Sequence, residues 1–305
     1  MAKKLLLLVL VLSLMMGIAA AQAMEVKLTD FVEREITLAK PAERIVALMP
    51  ADCEILYALG AEDLLVGRGE YCNYPEAILE KEVVKSGQEM NLEQIIALSP
   101  DVVVASKMNH SEDQINALEN AGVKTVIIDA QNLSDVYKAI TLLGQLTGKA
   151  EKAEQLNQQM QNDFAEIVKE VNGRTAGTVY YEASPLQYGL WAAGGGTFMN
   201  ELGSMIGLTN IFAQQEGWPQ VSEEQVIKAN PDFIVSTTMY FGEGPKPVEE
   251  ILARQGWQDI AALKNNQVMN ADNDEITRPG PRLVNAIRDL YKFVYENDSA
   301  GDNAA

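Results

Sequence analysis

The sequence "SEEQVIKANPDFIVST" at residues 222–237 nearly repeats "NLEQIIALSPDVVVAS" at residues 91–106. Six of the sixteen aligned positions are identical, and most of the others keep their apolar or polar character. Each copy has the pattern of a short helix, a Pro-Asp turn and a β-branched strand. The repetition therefore predicts two units of related design within one chain.

Strands and helices alternate on both sides of the first copy and again around the second. Before residue 150 the predicted strands are "RIVAL" (44–48), "LLVG" (64–67), "DVVVAS" and "VKTVIID". The order restarts with the strand "TVYY" (178–181), continues through "DFIVST" and "QVMNA" (267–271), and closes with a helix over 281–295. Strands that alternate with helices at this spacing predict crossover units and parallel sheets.

A single long amphipathic helix is predicted between the two units, over residues 149–173. It has no internal Pro or Gly and stops at Gly173. Its apolar positions recur at spacings of four, four, four and three residues: Leu156, Met160, Phe164, Val168 and Val171. A helical connector is stiffer than a Gly/Ser linker, so we expect modest movement of the units.

These patterns predict an α/β protein of two lobes, each with a mainly parallel sheet flanked by helices and joined by one long rigid helix. We place the first lobe at residues 24–148, the connecting helix at 149–173 and the second lobe at 174–296. The polar residues 297–305 are predicted to be a disordered tail.

The first residues, "MAKKLLLLVLVLSLMMGIAAAQA", have two lysines, an apolar run and an A-x-A site. This pattern predicts a secretory signal peptide over residues 1–23, cut before Met24, and a periplasmic location. A retained anchor helix is the alternative, and the early end of the apolar run disfavours it.

The mature chain is predicted to be strongly acidic. Removal of Lys3 and Lys4 takes the formal net charge from −19 to −21. Such a charge repels nucleic acid and anionic membranes, so we expect neither as a partner. No later stretch approaches the length of a membrane span, so direct membrane insertion is not expected.

A glutamate stands at the same place in each copy of the repeat. Asn91 and Ser222 are N-cap residues followed three residues later by a glutamine, as in a capping box. Glu93 and Glu224 then occupy the second helical position, where the helix dipole favours a carboxylate. Alone, each is simply a good first-turn residue; duplicated, they suit a two-fold partner with basic pockets. We expect them to point away from the buried helix face formed by Ile95, Ile96, Val226 and Ile227.

Aromatic and charged residues collect in the loops that follow predicted strands. Ligands of parallel α/β sheets collect at these strand ends. Any one ring could be a half-buried packing residue, but together they favour a broad, partly apolar ligand. The candidate ligand-binding residues are Tyr71, Tyr74, Tyr188, Trp191, Trp218, Asp274 and Arg278.

The enzyme classes are poorly supported. His110 is the only histidine, we expect it to be an exposed loop residue, and no G-x-S-x-G motif is present. A bare transition-metal site normally draws on several His or Cys ligands, so none is predicted. A periplasmic hydrolase or sensor would need a nucleophile or metal centre that the sequence does not show. We predict no catalytic residue, no metal site and no cofactor.

The two cysteines, Cys53 and Cys72, leave two alternatives open. A chain that matures outside the reducing cytoplasm can form a disulfide, or both thiols can remain free. The two residues follow the first two predicted strands of the first lobe, and if those strands are parallel neighbours both thiols lie at one sheet edge. This placement favours the disulfide slightly.

The chain resembles the substrate-binding proteins of ABC importers for metal chelates, from about Arg44 to Val294. The resemblance rests on "PADCEILYALG", "YCNYPEA", "MNLEQIIALSPDVVVA", "GWPQVSEEQVIKANPDFIV" and "RPGPRLVNAIRDL". It implies a class III periplasmic-binding-protein fold of two α/β lobes with one connecting helix. The third and fourth stretches are most similar to members that carry cobalamin.

The resemblance also implies roles for individual residues. Glu93 and Glu224 match the glutamates that dock into arginine pockets of the permease dimer. The positions that match the cobalamin-holding residues are Tyr71, Trp191, Trp218, Asp274 and Arg278. Gly87 and Ser106 stand where cobalamin carriers have two tryptophans that line the cleft, so the cargo is the least secure part of the resemblance.

The function that follows as an expectation is a monomeric periplasmic receptor, not an enzyme. It would capture a corrinoid, cobalamin or cobinamide, between its lobes and deliver it to an ABC permease. The alternative cargo is haem, with Tyr71 or Tyr74 as an axial ligand. A ferric siderophore is a further alternative, and an anionic one could be held by arginines at positions 68, 278 and 282.

Overall fold

The computed structural model describes residues 25–107 and 109–296. The predicted signal peptide (1–23) and the predicted tail (297–305) lie outside the described residues. The described chain starts with an antiparallel hairpin, β1 (Val26–Thr29) and β2 (Glu35–Leu38). None of the helices in this part of the chain combines the length and apolar character needed to cross a membrane.

The first lobe is built on a five-stranded parallel sheet in the order β5-β4-β3-β6-β7. Its strands are β3 (Ile45–Ala47), β4 (Leu65–Gly69), β5 (Glu82–Val84), β6 (Val102–Ala105) and β7 (Lys124–Ile127). Its helices are α1 (Pro50–Ala58), α2 (Leu92–Ala97), α3 (Glu112–Asn120) and α4 (Leu133–Leu146). The strand β5 has no strong sequence pattern and was not predicted.

The second lobe is built on a six-stranded mixed sheet in the order β11-β9-β8-β12-β13, with β10 also paired to β8. Its strands are β8 (Gly177–Ser184), β9 (Leu190–Ala192), β10 (Leu208–Asn210), β11 (Gln220–Val221), β12 (Phe233–Ser236) and β13 (Val268–Asn270). The pairings of β8 with β9 and of β9 with β11 are antiparallel, and the others are parallel. Together with the parallel sheet of the first lobe, this confirms the predicted fold class.

The helices of the second lobe flank its sheet, and one long helix precedes it. That long helix is α5 (Ala150–Val171), between the two sheets in the chain. The others are α6 (Phe198–Met205), α7 (Glu223–Ala229), α8 (Pro247–Leu252), α9 (Ala261–Lys264), α10 (Asn273–Ile276) and α11 (Leu283–Tyr295). Short 3₁₀ turns occur at Glu62–Leu64, Glu76–Glu80, Gly87–Glu89 and Leu186–Tyr188.

The helix α5 ties both lobes into one apolar core. Met160, Phe164 and Val171 are buried as the periodicity predicts, in a cluster that includes side chains of both lobes. Val168 is exposed, however, and Ile167 is buried in its place. A stripe at a strict spacing of four drifts around a helix of 3.6 residues per turn, so one predicted core position leaves the interface.

The two copies of the repeat adopt the same structure. Each places its helix before a central strand of its sheet, and each has an αL residue before the Pro, Ser99 (φ 48°) or Asn230 (φ 49°). Asp101 Oδ2 accepts a hydrogen bond of 2.9 Å from the N–H of Arg44, and Asp232 Oδ2 accepts one of 2.8 Å from the N–H of Thr178. The aspartate thus anchors the start of the neighbouring central strand in both lobes.

The predicted capping boxes differ between the copies. Ser222 and Gln225 form both bonds of the box at α7. At α2 the Asn91 side chain accepts from the Gln94 N–H at 3.1 Å. The Gln94 side-chain oxygen accepts from the N–H of Lys85 at 3.3 Å instead of from Asn91, and its amide nitrogen donates to Val83 O at 2.7 Å. The capping box predicted at Asn91 is therefore only half formed, because Gln94 ties α2 to β5.

Candidate functional site

The two lobes are joined by a buried cluster of charges at the strand ends that face each other. The side chain of Glu54 on α1 is 2% exposed and accepts hydrogen bonds from two arginines of the second lobe. Arg278 donates to Glu54 Oε1 at 2.8 Å, and Arg282 donates to Oε1 at 2.7 Å and to Oε2 at 2.9 Å. We call Glu54, Arg278 and Arg282, with Asn73 and Asp274 described next, the interlobe network.

Asn73 extends this network toward the aromatic loop of the first lobe. Its side chain donates to Asp274 Oδ2 at 2.9 Å and accepts from Arg278 at 2.7 Å. Arg278 also donates to Asp274 Oδ1 at 2.6 Å. The structure thus brings Asp274 and Arg278 together as predicted, but their hydrogen bonds bridge the lobes; contact of either residue with a ligand stays a prediction.

A second bridge between the lobes lies beside Trp218. Its indole N–H donates to Gln131 Oε1 at 3.2 Å, and the Gln131 carbonyl accepts from the N–H of Phe198 at 2.8 Å. Trp218 is half-buried and packs edge to face on Phe198 at a centroid distance of 5.8 Å. Trp218 is therefore held at a point where hydrogen bonds join the two lobes. A ligand could contact only the part of its ring that remains exposed.

The other predicted aromatic residues are exposed. Tyr71 is 70% exposed and Tyr74 is 47% exposed on the first lobe, where the Arg282 guanidinium lies 4.2 Å from the Tyr74 ring centroid. On the second lobe Tyr188 is 74% exposed and Trp191 is 40% exposed. Rings left in water on both lobes are available to a ligand, whereas Trp218 is largely committed to packing.

An apolar segment beyond β12 was not among the predicted site residues. Met239, Tyr240 and Phe241 are exposed, and they line a cavity of about 520 Å³ together with Tyr188. The signal was present as "TMYFGEG" at residues 238–244, an apolar run that continues past a predicted strand and ends in a glycine-rich turn.

His110 is buried, so the prediction of an exposed loop residue is wrong. Its ring Nδ1 lies 3.0 Å from Ser106 O, and Nε2 accepts the N–H of Gly87 at 3.4 Å. Burial lowers the pKa of His110, and the hydrogen bond to Ser106 opposes this shift. The imidazole thus hydrogen-bonds to both Gly87 and Ser106, the two positions that the sequence resemblance matches to cleft tryptophans.

The two cysteines lie side by side beneath the first-lobe loop. Both thiols are free and buried, and their Sγ atoms lie 3.7 Å (Cys53) and 3.9 Å (Cys72) from Ala47 O. The hydrogen bond with Cys72, together with burial, raises the pKa of the Cys53 thiol. The placement of the pair at one sheet edge agrees with the prediction, but the favoured disulfide is absent from the structure.

Asp52 adds an unusual buried carboxyl at the start of α1. It is 2% exposed, its Oδ2 has no hydrogen-bond partner, and burial raises its pKa to about 8. Asp52 is therefore a neutral, buried acid at neutral pH.

Among the described residues, no group of three or more His, Cys, Asp or Glu side chains is arranged to hold a metal ion.

Glu93 and Glu224 are exposed at equivalent positions on α2 and α7. Hydrogen bonds from its own backbone N–H and from Ser222 lower the pKa of Glu224. The expectation that Ile96 and Ile227 are buried is wrong, because these side chains are 39% and 38% exposed one turn beyond the glutamates. Both lobes thus present the same surface pair, a carboxylate and an isoleucine three residues apart.

The comparisons with known proteins agree on one class. The family described as "Periplasmic binding protein" matches residues 45–275. A relative from Bacillus subtilis (strain 168), the uncharacterized ABC transporter substrate-binding lipoprotein YvrC, is 38% identical over 277 residues, which cover 88% of this chain and 85% of that protein.

Two further similarities differ in the ligand they name. The vitamin B12-binding protein of Salmonella paratyphi A (strain ATCC 9150 / SARB42) is 32% identical over 253 residues, or 82% of this chain and 89% of that protein. A solved structure from Staphylococcus epidermidis ATCC 12228, described as a possible iron-binding (periplasmic solute-binding) protein, is 31% identical with a TM-score of 0.74. The alignment covers 84% of this chain and 100% of the Staphylococcus epidermidis chain.

Proposed function

The chain belongs to the periplasmic binding protein family, and we propose that it captures a corrinoid, either cobalamin or cobinamide, between its lobes. It then delivers the corrinoid to an ABC permease. The family members are substrate-binding proteins of transport systems and not enzymes. The vitamin B12-binding relative, at 32% identity, supports the corrinoid as cargo.

The observation that carries the proposal is the set of exposed rings at strand ends of both lobes. Tyr71 and Tyr74 belong to the first lobe, and Tyr188 and Trp191 to the second. A corrinoid is a broad macrocycle whose apolar faces suit flat ring contacts and whose amide-bearing edge suits hydrogen bonds. The Asp274 carboxylate already accepts hydrogen bonds from Asn73 and Arg278, and its remaining lone pairs would accept a hydrogen bond from an amide of the corrinoid.

We propose that the protein acts as a monomer outside the cytoplasm, in the periplasm, after removal of residues 1–23. Glu93 and Glu224 would dock into basic pockets of a two-fold permease dimer, one glutamate on each half. The exposure of both side chains and their equivalent positions on α2 and α7 support this role, and the lowered pKa of Glu224 favours its charged form.

Calorimetric titration of the purified protein with cobalamin and cobinamide tests the cargo. We expect at least one of them to bind with a Kd below about 1 μM, equivalent to about 8 kcal/mol. Trp191→Ala should weaken binding, whereas Tyr57→Ala, which removes an exposed ring at the far end of α1, should not. No binding of either corrinoid at micromolar concentrations would overturn the proposal.

A ferric siderophore or haem is the second candidate cargo, favoured by the similarity to the iron-binding protein from Staphylococcus epidermidis. The exposed phenols of Tyr71 and Tyr74 could ligate iron. The arginines expected to hold an anionic siderophore are engaged, because Arg278 and Arg282 bond Glu54 and Arg68 donates to Cys72 O at 2.8 Å. A visible spectrum after incubation with each ligand separates these cargoes, since iron–phenolate ligation gives its own absorption band.

A further inference from the structure

Four neighbouring side chains on the second lobe form an apolar surface that the fold itself leaves open. Tyr188 is 74% exposed, Met239 52%, Tyr240 43% and Phe241 86%. They come from two loops, after β8 and after β12, and all four line the cavity of about 520 Å³. We call these four residues the second-lobe wall. Single exposed apolar residues are common, but a contiguous group of this size marks a contact surface.

The second-lobe wall is continuous with the edge that carries the interlobe network. The side chain of Asn273 donates to Thr237 O, and that of Asn270 donates to Thr238 O at 3.1 Å, directly before Met239. Asn273 is the first residue of α10, whose next residue, Asp274, bonds Asn73 of the first lobe. Met239 of the wall therefore lies three residues beyond the end of β12, near the edge where the two lobes meet.

The wall is backed by fixed hydrogen bonds. Ser184 Oγ donates to Gly189 O at 2.8 Å and closes the loop that carries Tyr188, while Tyr240 donates to Gly244 O at 3.3 Å. Behind them Arg254 pairs with Glu182 and with Glu250, and the Arg254 and Glu182 side chains are 2% and 1% exposed. The side chains of the wall thus sit on a preformed base, which reduces the ordering cost of binding.

The charged residues that line the cavity are all acidic. Glu243 and Glu250 are among the described residues that line the cavity, and none of those lining residues is a lysine or an arginine. Glu250 is balanced by Arg254, whereas Glu243 is exposed and Lys246 nearby is outside the lining. An apolar group that carries a carboxylate would meet Glu243 without a compensating cation, so the local field opposes it.

We propose that the second-lobe wall is the part of the ligand site that selects the cargo by charge. It accepts the apolar face of a neutral or cationic chelate and disfavours a face that bears carboxylates, such as the propionate edge of haem. This inference rests on the proposed function, because it takes the wall to contact the same cargo as Tyr71 and Trp191. It adds the chemical class of the cargo and the residues that read it.

The test is a titration of two variants with two probes, cobinamide and haem. Phe241→Ala with Met239→Ala should lower cobinamide affinity about tenfold or more, because each removed side chain loses a buried apolar contact. Glu243→Gln should raise the ratio of haem affinity to cobinamide affinity severalfold, because it removes the carboxylate that opposes an anionic face; an unchanged ratio would contradict selection by charge. Tyr57→Ala is the matched control, and the urea midpoint of each variant should equal that of the wild type, since the altered side chains are exposed.

Equal cobinamide affinity in wild type and in the Phe241→Ala, Met239→Ala variant would overturn the inference and leave the corrinoid proposal standing; the wall would then face another molecule, such as the permease. If the wild type binds no corrinoid, the proposed function fails. Binding of the uncharged dye Nile red then tests whether the second-lobe wall is an apolar binding surface. Dye fluorescence that rises with the wild type and is lost in the double variant supports an apolar site. Unchanged fluorescence in the variant refutes it.

Discussion

Glu54 of the first lobe bonds Arg278 of the second at 2.8 Å, although 224 residues separate them in the chain. Arg282 bonds the same carboxylate, and all three side chains are at most 13% exposed. The two guanidinium groups repel each other, and the Glu54 carboxylate between them compensates both positive charges. The interlobe network, one of the contacts that join the lobes, therefore depends on the charge of Glu54.

We predict that Glu54→Gln lowers the free energy of unfolding by about 3 kcal/mol, because it leaves two partly buried guanidinium groups without their shared anion. Urea denaturation at pH 7 measures the change. Glu25→Gln is the control, since the ion pair of Glu25 with Lys27 is 55% and 70% exposed and contributes little. A loss no greater than that of the control would contradict a stabilising role for the interlobe network.

The cysteine pair should be unreactive in the folded protein. The hydrogen bond with Cys72 and burial raise the pKa of the Cys53 thiol, and a protonated, buried thiol is a poor nucleophile. We expect iodoacetamide at pH 8 to label neither cysteine in native protein and both in denatured protein, as read by mass spectrometry. Labelling of the denatured protein only after a reductant would instead establish the disulfide that the sequence favours.

Asp52 predicts a stability that falls as pH rises. Its folded pKa of about 8 lies above its ordinary value of 3.8, so between these values the folded protein holds a proton that the unfolded chain releases. Asp52→Asn keeps the shape without the titration. The variant should gain unfolding free energy over wild type progressively from pH 4 to pH 8, in urea titrations at each pH. A constant difference across this window would show that Asp52 is ionised in the folded protein.

His110 predicts the opposite slope. Its folded pKa lies below the ordinary value of 6.5, so the unfolded chain binds more protons and stability is lost as pH falls through 6.5. Protonation would also place a second N–H at Nε2, which accepts from Gly87. Relative to His110→Gln, wild type should lose unfolding free energy between pH 7 and pH 5. Parallel curves for the two proteins would mean that folding does not lower the pKa of His110.

The repeat made much of the fold predictable. Local patterns such as the N-caps, the αL position before the Pro and the alternation of strand and helix are contained in each copy, so residues 91–106 and 222–237 adopt the predicted units. The connecting helix follows from its own periodicity. What the patterns could not supply was β5 or the antiparallel edge of the second sheet, because short edge strands depend on their neighbours more than on their own residues.

The site was less predictable than the fold. Loops at strand ends gave candidate ligand-binding residues, whose contact with a ligand stays a prediction. The pairing of Glu54 with Arg278 could not be predicted, because it joins distant parts of the chain and has no local pattern. His110 is buried only because the loop after β6 packs on the turn at 87–89. The apolar residues 239–241 were missed because an exposed run beyond a strand resembles the strand itself.

The last prediction concerns the matched glutamates. If Glu93 and Glu224 each enter a basic pocket on one half of a two-fold permease, removal of both should abolish transport and permease binding while ligand affinity is unchanged, because neither side chain belongs to the interlobe network or the second-lobe wall. Uptake of labelled cargo in cells and calorimetry on purified protein measure the two effects. Glu151→Ala with Glu154→Ala removes the same charge from the exposed face of α5 and is the control.

The single variants sharpen this test. Because the two sites are equivalent, Glu93→Ala and Glu224→Ala should each weaken permease binding by a similar factor, and the double variant should lose more than either. The exposed Ile96 and Ile227 lie one turn beyond these carboxylates and are exposed to the same extent, so Ile96→Ser and Ile227→Ser should also weaken permease binding by similar factors. Loss of ligand affinity in the double glutamate variant would place these residues in the cleft and refute the docking role. A strong effect of one single glutamate variant without a comparable effect of the other would refute the two-fold arrangement.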